Sequence, residues 1–415
     1  VTFSLQEAER YLLSLELFGM RFGLDRMRRL MTALGHPEQQ FETIHVVGTN
    51  GKSSTVRMIA AILRAHGLRV GAYLSPHLVS FVERIRIDDS DIPPGAFAAA
   101  VARAAHAAAL VDRSLGGEDR VTQFEALTAA AYSELAVGGV EVAVIEAGLG
   151  GRYDATNVIQ SRVQVLTSVG LEHTRWLGPT ITDIAREKLD VVEPGGTLVL
   201  GSSLHPDAEA VALQVAGERD AVVMHAGPDP GVPVAALGAF QRRNFAVARA
   251  AAEAYLGELD PGAVAHAAAE IRVPGRLEIV GRDPLTLLDG AHNTDGIAAL
   301  VESLEEIVGA QQRLVAVVSI LDDKDAAGML GRLLPLCDAL ILTSSQNPRA
   351  LPPPTLQSLA GQLGHPRSEV VPNPNAALTT ARALAGPQGV VLATGSIYLV
   401  ADLVAPAGRR RASIL

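Results

Sequence analysis

The sequence predicts an α/β protein of two domains, a larger N-terminal one with a mainly parallel sheet and a smaller one after it. Three observations lead there. A chain of 415 residues with 48% hydrophobic composition exceeds what one core usually holds, since a single core rarely grows past about 250–300 residues. Short apolar runs ending in glycine or a polar residue alternate with helical patterns, the mark of strands joined by crossover helices. This series halts at a loop-like stretch, GPDPGVPVAALG (227–238), and then restarts.

The opening segment reads as a helix, with Ser4 and Glu7 at capping-box spacing and Leu5, Ala8, Leu12 and Leu15 on one face. The strands that follow are IHVVG (44–48), EVAVIEAG (141–148) and RVQVLTSVG (162–170). Between the first two lies a helix with Val56, Ile59, Ala60 and Leu63 on its inner face. A helix from about Asn244 to Leu256 precedes the second series, which is LTLLDG (285–290), RLVAVVSI (313–320), ALILTSS (339–345) and GVVLATGS (389–396). The turn dipeptide Pro274-Gly275 divides the chain into expected domains 1–275 and 276–415.

A formal net charge of −10 argues against binding nucleic acid through bulk charge, and Arg409, Arg410 and Arg411 read as a solvated tail. The lone Cys337 forms no internal disulfide and reads as a packed thiol, which fits a reducing compartment. VTFSLQEAERYLLSL has no basic run followed by an apolar one, and Arg103 and His106 interrupt the Ala-rich stretch from Ala96 to Val111. No signal peptide, no membrane span and a cytoplasmic location are expected.

In such sheets ligands collect at the carboxyl ends of the strands. Gly48-Thr49-Asn50-Gly51-Lys52-Ser53-Ser54 sits there, between a strand and a helix. Glycines let backbone N–H groups turn toward a phosphate, the helix N-terminus favours anions, and Lys52 can reach the terminal phosphates. A hydroxyl just after the lysine, from Ser53 or Ser54, can ligate Mg²⁺, although two residues separate the glycines where the usual pattern has four. Glu146 ends the strand VAVIE on the same side and could hold that magnesium, or simply cap a loop. His173 follows the next strand and is either a second metal ligand or a surface residue. Lys188, in AREKLDVV, is by spacing an ordinary helix lysine. DGAHN (Asp289 to Asn293) and TGS (Thr394 to Ser396) end strands of the second series, where they could meet a nucleotide or merely cap helices.

Taken together, the motifs resemble the Mur ligase superfamily, in its folylpolyglutamate synthase and dihydrofolate synthase branch. The resemblance runs from FGMRFGLDRM (18–27) through VVGTNGKSS, LSPHL (74–78), ERIRI (83–87), FEALTAAAY (124–132), EAGLGGRYDATN (146–157) and LEHTRWLGPTITDIAREK (171–188) to PGR (274–276), DGAHN and TGSIYLV (394–400). It implies an N-terminal P-loop ATPase domain and a smaller Rossmann-like C-terminal domain, with ATP between them. On this similarity Lys52 and the loop amides hold phosphates, Ser75 and Glu146 ligate one Mg²⁺ with Ser54 or Ser53, and His173 serves a second. Lys188 matches a lysine that is commonly carbamylated. Arg276, Asp289 and His292 match nucleotide contacts, and Phe124, Asp154, Ala155 and the 18–24 loop match the pterin-receiving region. Three positions depart from the common pattern: Ser53 stands for a glycine, Gln123 for an aromatic and Glu172 for an aspartate.

The implied reaction joins glutamate to the carboxylate of dihydropteroate or tetrahydrofolate through an acyl phosphate, at the expense of ATP, in an enzyme expected to be monomeric and bifunctional. A Mur-type ligase acting on a cell-wall precursor shares the phosphate loop. A nucleotide-binding switch would share it too, but has no use for two metal sites.

Overall fold

A computed structural model describes residues 2–16, 23–116, 119–309, 312–365 and 367–405. Residues 18–22 of the expected pterin loop and the arginines at 409–411 lie outside the described residues. Two compact units emerge, one from residues 2–234 and 243–271 and the other from 235–242 and 272–405.

The first unit is built on eight strands: β1 (Glu42–Val47), β2 (Val70–Tyr73), β3 (Ile85–Ile87), β4 (Ser90–Asp91), β5 (Val142–Glu146), β6 (Val163–Leu166), β7 (Thr197–Leu200) and β8 (Val222–His225). Their order is β4-β3-β2-β5-β1-β6-β7-β8, parallel except for β3 against β2 and β4. The mostly apolar runs of β5, β6 and β7 reflect burial on both sheet faces. β1 lies between β5 and β6, with Val46 opposite Glu146 and Val47 opposite Leu166. The chain leaves β1 toward β2 on one side and later returns to β6 on the other. The strand order therefore reverses at β1, where a crevice opens at the carboxyl ends. That register puts the residues following β1, β2, β5 and β6 side by side.

Helices cover this sheet. Lys52–Ala65 follows β1 directly, and Ile181–Leu189 packs through Ile184, Ala185 and Leu189 into a cluster with Val47, Leu166, Leu198 and Leu200. Pro94–Ser114 is long and apolar enough to cross a membrane by composition alone. It is a core helix instead, burying Phe97, Val101, Ala104, Ala108 and Val111 and packing on Gln123–Val137. The capping box at Ser4 and Glu7 is present, with Glu7 N–H donating to Ser4 Oγ at 3.3 Å and Ser4 N–H to Glu7 Oε2 at 2.7 Å.

The second unit has β9 (Glu278–Arg282), β10 (Leu285–Leu288), β11 (Leu314–Val318), β12 (Ala339–Leu342), β13 (Ser368–Val370) and β14 (Val390–Thr394), ordered β13-β12-β11-β14-β10-β9. Only β9 runs antiparallel to its neighbour. Its core includes Leu287, Leu300, Leu314, Val318, Leu340 and Leu392. Cys337 is buried there, and that burial pushes its thiol up to about 12. The helix expected from about Asn244 begins earlier, at Ala239.

Candidate functional site

The phosphate loop turns out of β1 on two glycines with positive φ, Gly48 at 153° and Gly51 at 86°. Gly48 is required for space as well: a Cβ there would come 2.0 Å from Thr167 Oγ1. The loop is buttressed from beyond β6. Thr49 N–H donates to Ser168 O at 2.8 Å, Asn50 N–H to Ser168 Oγ at 2.9 Å, and the Thr167 hydroxyl to Asn50 O at 2.7 Å. Sequence reading missed Thr167 and Ser168 as members of the site, although their run, RVQVLTSVG, was legible as a strand end.

Lys52 opens the helix, and its Nζ donates to Gly48 O at 3.0 Å and Thr49 O at 3.3 Å. Ser53 and Ser54 then separate. The first turn of the helix points the Ser53 hydroxyl at the β5 end, where it donates to Glu146 Oε1 at 2.8 Å. Ser54 is buried and has no such contact. Of the two serines left open as magnesium ligands, Ser53 is the one whose hydroxyl lies against Glu146. Glu146 Oε2 accepts from the Ser75 backbone N–H at 3.0 Å, which brings the ends of β2 and β5 together. This carboxylate is only 1% exposed.

No trio of His, Cys, Asp or Glu side chains converges among the described residues. A Mg²⁺ ion fits the donor set nonetheless, because it keeps several waters and takes one or two carboxylates plus substrate phosphates. Glu146 offers the carboxylate, Ser53 a hydroxyl and Ser75 a neighbouring oxygen. His173 follows β6 in a left-handed conformation (φ 54°), with a half-exposed ring 4.0 Å from Glu172 Oε1. The glutamate that replaces the usual aspartate thus reaches toward the histidine.

Lys188, on Ile181–Leu189, is 4% exposed and donates to the same Gly48 oxygen at 2.9 Å. Burial, reinforced by the Lys52 cation, lowers its amine to about 7. Burial that lowers a lysine this far makes its free amine accessible near neutral pH. Nothing in its spacing in the sequence distinguished it.

A second constellation lies on the 147–157 loop. Phe124 opens the Gln123–Val137 helix, with its ring 6.3 Å from that of Tyr73. It lies so close to Gly148 that a Cβ there would sit 2.6 Å from Phe124 Cζ. Asp154 is buried beside it, and Asp154 Oδ2 accepts from Leu149 N–H at 2.8 Å. Asp154 Oδ1 accepts from Thr156 N–H at 3.0 Å and from the Thr156 hydroxyl. Burial raises this carboxyl above its ordinary range. Ala155 is buried in the same turn. Gln123 points elsewhere: its Nε2 donates to Leu12 O at 2.8 Å and its backbone N–H to Glu16 O at 3.0 Å, tying the first helix to this one. His45, fully buried on β1, also joins the loop, with Nε2 2.9 Å from Thr156 Oγ1.

In the second unit, Asp289 ends β10 and uses both oxygens as a loop brace, accepting from Leu277 N–H at 2.8 Å and Ala291 N–H at 2.7 Å. Burial raises its carboxyl, and nearby Arg276 opposes that rise. His292 Nδ1 lies 2.9 Å from Gly290 O. Asp289 thus shapes the strand-end loop that carries His292.

Comparison with known proteins adds to this geometry. Residues 275–397 match the family model described as the Mur ligase glutamate ligase domain. The folylpolyglutamate synthase of Lacticaseibacillus casei is 37% identical over 90% of this chain and 92% of its own. A probable bifunctional folylpolyglutamate synthase/dihydropteroate synthase of Haloferax volcanii is 35% identical over 95% of this chain, which spans 50% of that longer protein. The structure of Mycobacterium tuberculosis folylpolyglutamate synthase complexed with ADP superposes with a TM-score of 0.89 at 32% identity, covering 98% of this chain and 99% of that one. The bifunctional folylpolyglutamate synthase/dihydrofolate synthase of Yersinia pestis, complexed with AMPPNP and a manganese ion, gives 0.84 at 30% identity, covering 97% of each chain.

Proposed function

From the premise that this chain belongs to the folylpolyglutamate synthase/dihydrofolate synthase family of Mur ligases, we propose that it adds glutamate to both dihydropteroate and reduced folates, using the first unit's strand-end crevice. The convergence of Lys52, Ser53, Ser75 and Glu146 at the ends of β1, β2 and β5 carries this reading.

A carboxylate is a poor electrophile. In the proposed reaction its oxygen takes the ATP γ-phosphoryl group and ADP leaves. The amino group of glutamate then attacks the carbonyl carbon, inorganic phosphate departs, and the nitrogen loses a proton. Gly48, Thr49, Asn50 and Gly51 present backbone N–H groups to the phosphates, and Lys52 offsets their charge. Glu146, Ser53 and Ser75 would hold one divalent cation and His173 a second. When bound, these cations neutralise the approach of phosphate to carboxylate. Phe124, Asp154 and Ala155 receive the acceptor, with the ring as a stacking surface. Within the second unit, Arg276 and His292 are the proposed nucleotide contacts, and Asp289 braces the loop that carries His292.

Lys188 is proposed to carry a carbamate. Its neutral amine can attack CO₂, forming an N–C bond and losing one proton. The remaining N–H can still donate to Gly48 O, while the new carboxylate faces Lys52 as a counter-ion rather than a like charge. A monomeric, cytoplasmic enzyme is proposed on the lone buried thiol and the family's common state.

Phosphate release with Mg-ATP and glutamate tests the acceptor. Release with both 7,8-dihydropteroate and tetrahydrofolate is expected. Release with one alone assigns a single activity, and release with neither points to another Mur-type acceptor such as a cell-wall precursor.

A further inference from the structure

His45 is a polar residue where the sheet should carry an apolar one. It stands on the central strand with no exposed surface, and its neighbours Ile44 and Val46 are equally buried. Its ring bonds through Nε2 to Thr156 Oγ1 at 2.9 Å, and among the described residues its buried Nδ1 has no hydrogen-bond partner. A polar ring so placed is expensive to bury unless its one bond matters to the structure around it.

The protons along this chain of groups can be assigned. Thr156 gives its hydroxyl hydrogen to Asp154 Oδ1. Its oxygen is then left as an acceptor, so His45 must donate through Nε2–H. The opposite tautomer would bury an Nδ1–H donor with nothing to receive it. Thr156 is gripped from a second side by Tyr132, whose hydroxyl donates to Thr156 O at 3.0 Å. Asp154 in turn fixes Leu149 N–H. The strand that ends in the phosphate loop thereby also anchors the 147–157 loop.

We propose that His45 is a positioning residue for acceptor binding: through Thr156 it fixes Asp154 and the loop that faces Phe124, from the same strand that carries the phosphate loop. The proposal rests on the reading that Phe124 and Asp154 receive the acceptor.

The test uses steady-state kinetics of the full chain with dihydropteroate, glutamate and Mg-ATP. His45→Leu removes this bond alone, and Thr156→Val removes it together with the hydroxyl's bond to Asp154. Each should raise the KM for dihydropteroate roughly three- to tenfold, the range one neutral hydrogen bond supports, while leaving the KM for ATP within about twofold. Thr156→Ser retains the hydroxyl and should restore the wild-type KM. The double variant should match Thr156→Val alone, because His45 reaches the loop only through that hydroxyl. Should His45→Leu fail to fold, His45→Gln against His45→Met still decides, since only the glutamine keeps a side-chain donor for Thr156 Oγ1. An unchanged acceptor KM in folded Thr156→Val, additive effects in the double variant, or an equal rise in the KM for ATP overturns the proposal. Phe124→Ala separates the two levels of argument. If it leaves the acceptor KM unchanged, the acceptor site itself is misplaced; if it raises that KM while the His45 and Thr156 variants do not, only the role of His45 fails.

Discussion

Lys188 offers the sharpest test of the chemistry. Its amine is lowered from 10.5 to about 7, so at neutral pH about half of it is free base. An exposed lysine at that pH is roughly one part in three thousand free base, so burial and Lys52 together enrich the CO₂-reactive form by about three orders of magnitude. The protein would be exchanged into CO₂-free buffer, then given [¹³C]bicarbonate and followed by carbon NMR and phosphate release at pH 6, 7 and 8. The expected result is one carbamate signal per chain, and activity that falls without CO₂ and returns with bicarbonate. Its recovery should steepen as pH rises through about 7, where the free amine accumulates. Lys188→Gln should take up no label and lose about two orders of magnitude in kcat, as losing a fixed catalytic charge typically does. A wild-type enzyme that stays fully active without CO₂ and shows no carbamate would refute the reasoning.

The same residue sets a stability prediction. In CO₂-free buffer the unfolded chain holds a proton on Lys188 between pH 7 and 10.5 that the folded chain lacks, so this site makes stability rise with pH across that window. Lys188→Met should therefore raise Tm at pH 6, where the buried cation opposes folding by at most about 5 kcal/mol, and much less at pH 10. Glu146→Gln should lower kcat about a hundredfold or more while the KM for ATP changes only a few-fold; wild-type turnover would remove Glu146 from the metal site. Ser53→Ala should reduce kcat/KM for ATP about tenfold or more and Ser54→Ala about twofold or less, and the reverse ranking in the same assay would return the metal hydroxyl to Ser54. Gly48→Ala drives a methyl group into Thr167 and should lower stability by about 1–3 kcal/mol in urea melts, with loss of ADP binding by calorimetry; a variant with wild-type values would show that the loop yields freely.

Local signals carried much of this. β5, β6, β10, β11, β12 and β14 fall within apolar runs visible in the sequence, and β1 overlaps one but starts two residues before it, at Glu42. The other seven strands were missed: β3, β4 and β13 are two or three residues long, β8 and β9 are exposed at sheet edges, and β2 and β7 are only four residues long. Within the site, the phosphate loop and Glu146 were legible because strand, turn and helix are contiguous. The choice between Ser53 and Ser54 was not, since it depends on the rotational phase of the first helical turn against β5. Gln123 was noted as unusual beside Phe124, but its purpose lies more than a hundred residues away, at Leu12 O. Thr167, Ser168 and His45 act across neighbouring strands, so their meaning appears only with the register.

One backbone oxygen, that of Gly48, accepts from the side-chain nitrogens of both Lys52 and Lys188, at 3.0 and 2.9 Å. Two donors on a single acceptor cannot be tuned separately. Under the carbamate proposal, a change at one lysine is felt at the other within the loop that grips the nucleotide. Reciprocity then applies: whatever factor dissolved CO₂ exerts on nucleotide binding, bound nucleotide exerts on CO₂ uptake. Gas tension and nucleotide occupancy would become two readings of one equilibrium, balanced on a single carbonyl.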